Sequence, residues 1–366
     1  MNLASRAGSR KRLNSIVATG VVAITASWFG ASLAEDKIVI GFVTHHHLDQ
    51  FQERIWQGAR TAAADLGVEL KLAAPDNVDP EAQLAIVQSL VNSGVSGIAT
   101  PATSESLVAP LNAIIDGGTP VVTFLLNSPN IRAPFVGERT FPTWKEFGKR
   151  VATKLGADAK GEVLVGYCSA DLEILAHRAD GTIAGLKEAG PGLTVLGPFD
   201  VKLSATENYA AWEALALAHP NAVAMLDLCA PGIVSLSKLK TSGGYNWLIA
   251  GADTTPENLA AVEAGTAWMA EGQSEFLQGY MPVLMLVDAI RSGKKAVEPS
   301  FFDSGNQFVT LDNADEPYDL KDVSFKELVE IANSPELTAA HYKASLENGQ
   351  LKDWKSLLQP LENQNK

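Results

Sequence analysis

The sequence predicts an α/β protein built from two doubly wound parallel-sheet lobes joined by a hinge. Short β-branched runs alternate with helical stretches from residue 37 onward, and the same alternation begins again near residue 143. Strand–helix alternation is typical of a parallel sheet with helices on both faces. A chain of 366 residues is also long enough for two domains of ordinary size.

The first half of the pattern contains helices with well-marked faces and ends. Apolar residues recur at helical spacing at Ile55, Ala59 and Ala62. Pro80 begins the next helix and Gly94 follows its end, which are the usual positions of these two residue types. The predicted strands cover residues 38–43, 68–72, 95–100 and 121–125, and the predicted helices cover residues 51–66, 80–92 and 104–116.

The second half repeats the alternation, which indicates an internal duplication. Its predicted strands cover residues 162–167, 193–197, 222–228, 247–251 and 267–270, and its predicted helices cover residues 143–155, 176–189, 206–218, 232–240, 256–263 and 276–290. We assign residues 36–137 and 274–303 to an N-terminal lobe, and residues 138–273 and 304–320 to a C-terminal lobe. Residues 321–366 form a predicted helical C-terminal extension, which we expect to wrap one lobe.

The N-terminus has the parts of a secretory signal peptide. Four basic residues lie among the first twelve, and an apolar stretch follows over residues 16–29. Ala31-Ser32-Leu33-Ala34 then supplies the small residues that a signal peptidase recognises. A membrane anchor is the alternative, but the apolar stretch is shorter than the ~20 residues that span a bilayer. We therefore predict that residues 1–34 are a signal peptide and that the mature protein lies in the periplasm.

The composition and the motifs limit the function. Hydrophobic residues make up 46% of the chain and charged residues 19%, as in ordinary globular proteins. A formal net charge of −13 argues against nucleic acid as a partner, because phosphate binding needs a basic surface. The first strand leads into Thr44–Asp49 rather than a glycine-rich phosphate loop, and there is no nucleophile elbow. We therefore expect neither an enzyme nor a cofactor.

Polar residues follow several of the predicted strands. A doubly wound sheet binds its ligand at the carboxyl ends of its strands, and two such lobes that face each other form one cleft. The candidates for that cleft lie after strands in both halves, at residues 45–51, 100–104, 127, 169–173, 227–229 and 253.

A series of short segments carries a resemblance to a known family. The segments are Ile40-Gly41-Phe42-Val43, Gln57-Gly58-Ala59, Leu66-Gly67, Gly97-Ile98 with Pro101, Gly118-Thr119-Pro120-Val121-Val122-Thr123, Arg178-Ala179-Asp180-Gly181, His219-Pro220-Asn221 and Gly251-Ala252-Asp253. Their order and spacing, over residues 38–292, resemble the type I periplasmic sugar-binding proteins of ABC transporters, in the ribose-binding group.

The resemblance implies two lobes that close on a small sugar or polyol, which the protein then delivers to the permease of an ABC importer. It places the ligand-binding residues at Asp49, Phe51, Gln52, Asn127, Arg178, Asp253 and Gln273, and we add His47 because histidine both donates and accepts hydrogen bonds. Carboxylates, arginine and amides suit the hydroxyls of a sugar, and an aromatic ring covers its apolar face. We expect the protein to be a monomer.

Each candidate also has an ordinary structural explanation. The two aspartates could cap helices, the phenylalanine could belong to the core, the arginine could lie on the surface, and the two amides could form turns. The chain also departs from ribose binders, which carry an Asp-Arg pair where Leu125-Leu126-Asn127-Ser128 stands, and Cys229 takes the place of a cleft Asn or Asp. These departures argue against ribose and leave pentose, hexose and linear polyol open.

Three further hypotheses arise from the sequence. A sensor that presents the ligand to a chemoreceptor is an alternative to import. A metal site at His45-His46-His47 is another, although neighbouring residues of an extended segment point to opposite faces. Cys168 and Cys229 follow the first and third strands of the second lobe, which are neighbours in the strand order 2-1-3-4-5. We expect these cysteines to form a disulfide or to lie side by side in the cleft.

Overall fold

The computed structural model describes residues 37–47, 50–128, 130–170, 172–313 and 323–365. The predicted signal peptide and the predicted site residue Asp49 lie outside the described residues, as does the end of the predicted C-terminal lobe. In the described part of the chain, no helix has both the length and the apolarity needed to span a bilayer.

Lobe 1 is the part of the molecule built on the first of two six-stranded sheets. Its strands are β1 (Val39–Val43), β2 (Glu69–Ala73), β3 (Gly97–Ala99), β4 (Val121–Phe124), β5 (Phe135–Gly137) and β11 (Phe301–Asp303), and its helices are α1 (Gln50–Leu66), α2 (Pro80–Asn92), α3 (Val108–Asp116) and α9 (Glu275–Arg291). The strand order is β11-β5-β4-β3-β1-β2, and every neighbouring pair is parallel.

Lobe 2 is built on the second sheet. Its strands are β6 (Gly161–Tyr167), β7 (Leu193–Asp200), β8 (Ala222–Asp227), β9 (Leu248–Ala252), β10 (Met269–Gly272) and β12 (Gln307–Val309), and its helices are α4 (Thr140–Leu155), α5 (Glu173–Ala189), α6 (Ala205–Ala218), α7 (Gly232–Gly243) and α8 (Pro256–Glu263). The order is β12-β10-β9-β8-β6-β7, with only β12 antiparallel to its neighbour. The predicted α/β fold of two doubly wound lobes is confirmed.

From β1 to β12 the chain crosses between the lobes three times, after β5, after β10 and after β11. The second crossing is secured by α9, which packs closely along α1. A Cβ atom on Gly58 would lie 2.0 Å from the carbonyl oxygen of Phe276, and one on Gly279 would lie 1.8 Å from that of Ile55. Only glycine permits the two helix backbones to approach so closely. The packing therefore fixes α9 on lobe 1 directly after the chain leaves β10.

Some elements differ from the sequence-based prediction. β5, β11 and β12 have three residues each and were not predicted, whereas β3, which is equally short, lies within the strand predicted over residues 95–100. Helix α5 begins at Glu173, three residues earlier than predicted, so Arg178 lies in its second turn rather than at its start.

The C-terminal segment contacts both lobes, whereas the sequence led us to expect contact with one. It consists of α10 (Phe325–Asn333), α11 (Pro335–Asn348) and two short 3₁₀ segments, Gln350–Leu357 and Leu361–Asn365. Leu328 of α10 packs with Leu259 and Val309 of lobe 2. Tyr342 of α11 belongs to the core of lobe 1, where its ring stacks on Phe276 with 5.1 Å between centroids.

Candidate functional site

A cavity of about 280 Å³ lies between the carboxyl ends of the strands of the two lobes. We call it the cleft cavity. Lobe 1 contributes residues that follow β1, β2 and β4 together with one residue of α1, and lobe 2 contributes residues that follow β6 to β10 together with α5. Its described lining residues are His45, His46, Phe51, Val78, Leu125, Leu126, Cys168, Ser169, Leu172, Ile174, Leu175, Arg178, Leu203, Cys229, Ala230, Asp253 and Gln273.

Three predicted site residues form one end of the cleft cavity, which we call the polar end. Arg178 Nη2 donates a hydrogen bond of 2.9 Å to Gln273 Oε1, and Gln273 Nε2 donates one of 3.1 Å to Asp253 Oδ1. Asp253 follows β9 with φ +69°, a left-handed conformation that Asp tolerates better than most residues. The turn directs the carboxyl group into the cavity, where it can accept hydrogen bonds from a hydroxylated ligand.

Arg178 is held in place by buried partners. Its Nε donates to Glu138 Oε1 at 3.2 Å, and its Nη1 donates to the carbonyl oxygen of Leu228 at 3.2 Å. The guanidinium also lies 4.9 Å from the centre of the Trp144 ring. Burial acts to lower the pKa of Arg178, but the nearby carboxylates, Glu138 first, outweigh it, so the pKa is raised and the charge is retained.

The same network includes all three crossings between the lobes. Glu138 follows β5 at the first crossing, and Glu271 lies in β10 just before the second. Asn306, at the third crossing, donates hydrogen bonds of 2.7 Å to both carboxyl groups. Burial first, and then the charge of Glu138, raise the pKa of Glu271 well above its usual range, which favours its neutral form. Arg178 is thus joined through Glu138 and Asn306 to all three crossing segments.

Much of the remaining lining of the cleft cavity is apolar, and we call this part the apolar wall. It is formed by Leu125 and Leu126 of lobe 1, by Leu172 and Ile174 of lobe 2, and by the disulfide between Cys168 and Cys229. The two cysteines follow β6 and β8, which pair in parallel. Both half-cystines are at least 92% buried, and together they cover the ends of the two strands with sulfur rather than polar atoms.

The first-strand loop contributes fewer contacts than expected. Phe51 lines the cleft cavity, whereas Gln52 lies just behind it, fully buried, with Nε2 3.4 Å from Nδ1 of His45 and 3.5 Å from Nδ1 of His46. His45 and His46 line the cavity in its place, and His47 is exposed. The described residues contain no group of three or more His, Cys, Asp and Glu side chains arranged to hold a metal ion.

Asn127 does not line the cleft cavity. Thr123 donates a hydrogen bond of 2.9 Å to Asn127 Oδ1, and Asn127 Nδ2 donates one of 3.0 Å to Gln364 Oε1 of the C-terminal segment. It lines a separate cavity that also contains Glu138 and His177. The backbone explains the difference from expectation, because Leu125 adopts φ +61° and turns the chain so that the two leucines, not the asparagine, face the cleft cavity.

A comparison with protein families identifies the fold. The periplasmic binding protein domain matches residues 40–295, about two thirds of the chain. The chain belongs to this family. The predicted resemblance is thereby confirmed, and the family consists of substrate-binding proteins rather than enzymes. No curated protein sequence matches the chain.

Solved structures of periplasmic binding proteins share the two-lobe architecture. GanP, a glucose-galactose binding protein from Geobacillus stearothermophilus, is 21% identical, with a TM-score of 0.69 over 75% of this chain and 98% of that one. A solute binding protein from Burkholderia graminis, solved with D-arabinose, is 22% identical, with a TM-score of 0.69 over 75% and 96%. A carbohydrate transporter protein from Acidothermus cellulolyticus, solved with myo-inositol, is 22% identical, with a TM-score of 0.68 over 82% and 99%. These similarities establish the type I periplasmic binding protein fold.

Proposed function

We propose that the protein captures a small sugar or polyol in the cleft cavity and delivers it to an ABC importer from the periplasm. The observation that carries this proposal is the hydrogen-bonded series Arg178–Gln273–Asp253 at the polar end. It places a carboxyl group in a cavity between two lobes, where a ligand hydroxyl can reach it. Phe51 adds the apolar ring that commonly covers a sugar face.

Closure of the lobes follows from the same arrangement. A ligand that touches residues of both lobes binds the closed form better than the open form, so it shifts the population toward closure. The three crossing segments act as the hinge, and the Glu138–Asn306–Glu271 bonds place the polar end beside them. The importer then recognises the closed form. Export is provided by the signal peptide predicted for residues 1–34.

Asp253→Asn is expected to weaken ligand binding about 10- to 100-fold. The substitution removes a charged acceptor, and a hydrogen bond to a charged group contributes ~1.5–3 kcal/mol. Thermal-shift measurements with D-glucose, D-arabinose and myo-inositol should first identify a ligand of the unmodified protein, since a ligand at 100 times its Kd adds ~2.7 kcal/mol of stability. Titration calorimetry of Asp253→Asn with that ligand then gives the loss in affinity.

Asp180→Asn provides the matched control for this experiment. Asp180 lies on α5 in the same lobe, but its side chain is exposed and outside the cleft cavity. It should bind the ligand as tightly as the unmodified protein. Equal affinities for the two variants would show that Asp253 is not part of the site. The proposed function itself would be contradicted if no sugar, polyol or other small solute gave a thermal shift.

A further inference from the structure

Two leucines of the apolar wall occupy backbone positions that normally favour other residues. Leu125 has φ +61°, in the left-handed region that branched and bulky side chains rarely adopt. Leu172 is the residue that caps the N-terminus of α5, and it makes no side-chain capping bond, although Ser, Thr, Asp and Asn are strongly preferred there. Local preferences are most often broken at functional sites, where another requirement dominates.

The side chains of both leucines face the cleft cavity, together with the disulfide of Cys168 and Cys229. At each of these two positions, leucine stands where a different residue type is locally preferred. The wall continues outward at Leu203, whose side chain is 40% exposed at the edge of the cavity. The cleft cavity therefore presents an apolar surface and the carboxyl group of Asp253 to one ligand.

We propose that the ligand joins a hydroxyl-bearing head, bound at Asp253, to an apolar body that lies against Leu125, Leu172 and the disulfide. Deoxy sugars and other polyols that carry an alkyl group in place of one hydroxymethyl belong to this class. This inference rests on the proposed function and narrows its substrate class. A fully hydroxylated sugar would turn at least one hydroxyl toward the wall, where that hydroxyl loses its water without gaining a partner.

Matched pairs of sugars test the inference. The pairs are L-galactose with its 6-deoxy form L-fucose, L-mannose with L-rhamnose, and D-glucose with 6-deoxy-D-glucose. Within each pair that binds, titration calorimetry should show the deoxy member binding about 10-fold tighter or more, within the range of 10–200-fold that one small apolar group gives in a hydrophobic pocket. Equal binding, or tighter binding of the fully hydroxylated member, would overturn the inference.

Leu172→Asn places an amide in the apolar wall without harming the helix, because asparagine is a preferred capping residue. It should reduce the preference for the deoxy sugar to about 3-fold or less, whereas Leu217→Asn, at a side chain that is 72% exposed on α6, should leave it unchanged. If neither member of any pair binds, the inference that the ligand carries an apolar body is wrong. The proposed function fails only if D-arabinose, myo-inositol and the wider set of solutes also give no thermal shift.

A second, independent observation concerns the C-terminal segment, which links the lobes outside the three crossings. Helix α10 docks on lobe 2 through Leu328, and only Ser334 separates it from α11, which docks on lobe 1. On α11, Lys343 Nζ lies 2.7 Å from Asp65 Oδ1 of α1. Arg54 of α1 donates a hydrogen bond of 3.0 Å to the carbonyl oxygen of Ala332 at the end of α10.

The two helices thus join a surface of lobe 2 to a surface of lobe 1. The junction between the two helices is too short to stretch, and the hydroxyl of Thr338 on α11 donates a hydrogen bond of 2.7 Å to the carbonyl oxygen of Ile331 on α10. A movement that separates these two surfaces would therefore have to pull one helix from its surface. We infer that α10 and α11 act as a strap that restrains opening of the lobes.

Pulsed electron paramagnetic resonance tests the strap in the ligand-free protein. Spin labels at Asn77→Cys and Glu207→Cys report the separation of the lobes, since both residues are exposed and lie within four residues, in sequence, of Val78 and Leu203, which line the cleft cavity. Because the native cysteines are joined in a disulfide, only the new ones are labelled. Leu328→Ala, which loosens α10, should shift the distance distribution toward longer values.

Lys326→Ala is the matched control, since Lys326 lies on the same helix with its side chain 87% exposed. It should leave the distances unchanged. Circular dichroism shows whether Leu328→Ala disturbs folding. If it does, Val329→Ala makes a milder change at the same interface of α10 and can be measured instead. Distances that stay the same in Val329→Ala and in folded Leu328→Ala would overturn the strap.

Discussion

Replacing Arg178 with methionine is expected to lower the free energy of unfolding by about 3–5 kcal/mol and to abolish ligand binding. The arginine is 4% exposed, and its closest ionic partner, Glu138, is 1% exposed. Removing one member of a buried ion pair leaves the other charge without compensation, which typically costs this amount. Binding fails because Gln273 loses the guanidinium that orients its side chain toward Asp253. Urea denaturation and calorimetry measure the two effects.

Two further variants separate charge from packing in this experiment. Glu138→Gln combined with Arg178→Met removes both charges, so the double variant should recover part of the stability that Arg178→Met loses. Arg132→Met, at an exposed arginine paired with Asp116 on lobe 1, should leave the stability nearly unchanged. A loss below about 1 kcal/mol in Arg178→Met would show that the buried network does not hold the arginine as described.

The fold could be predicted because it depends on a pattern that repeats along the chain. Strands and helices of ordinary length show their periodicity, and even the pairing of the strands before Cys168 and Cys229 followed from the doubly wound order. The short strands β5 and β11 carry no such pattern, because they form only when the rest of the sheet supplies their partners. The helices of the C-terminal segment were predicted, but their contacts with both lobes depend on tertiary structure alone.

The site could be predicted only in part, for a different physical reason. Arg178 and Gln273 were predicted from the family resemblance, and Asp253 also because it is a polar residue that follows a strand; the structure places all three in the lining of the cleft cavity. Leucines after strands do not stand out, so the apolar wall was missed. One signal was available, namely Leu172 before a helix, where a capping residue is normally found. Glu138 was also missed, since a single acidic residue after a short strand gives no sign that it will be buried.

The disulfide between Cys168 and Cys229 is expected to contribute about 4 kcal/mol to the free energy of unfolding. The cysteines are 61 residues apart, and closing so long a loop removes much of the conformational entropy of the unfolded chain. The double variant Cys168→Ala with Cys229→Ala should therefore unfold at a lower urea concentration than the oxidised protein. Both residues are replaced together, so that no free thiol remains to form bonds between molecules.

Reduction of the disulfide provides a second measurement of its contribution to the free energy of unfolding. Dithiothreitol should lower the stability of the unmodified protein toward that of the double variant and should leave the double variant unchanged. Two thiols that titrate in the unfolded, unreduced protein would show that the bond is absent. The bond also forms part of the apolar wall. The double variant should therefore bind the ligand more weakly than the unmodified protein, even where both proteins are fully folded. If the folded double variant binds the ligand as tightly as the unmodified protein, the disulfide contributes only to stability. Leu125 and Leu172 are then the residues that define the wall.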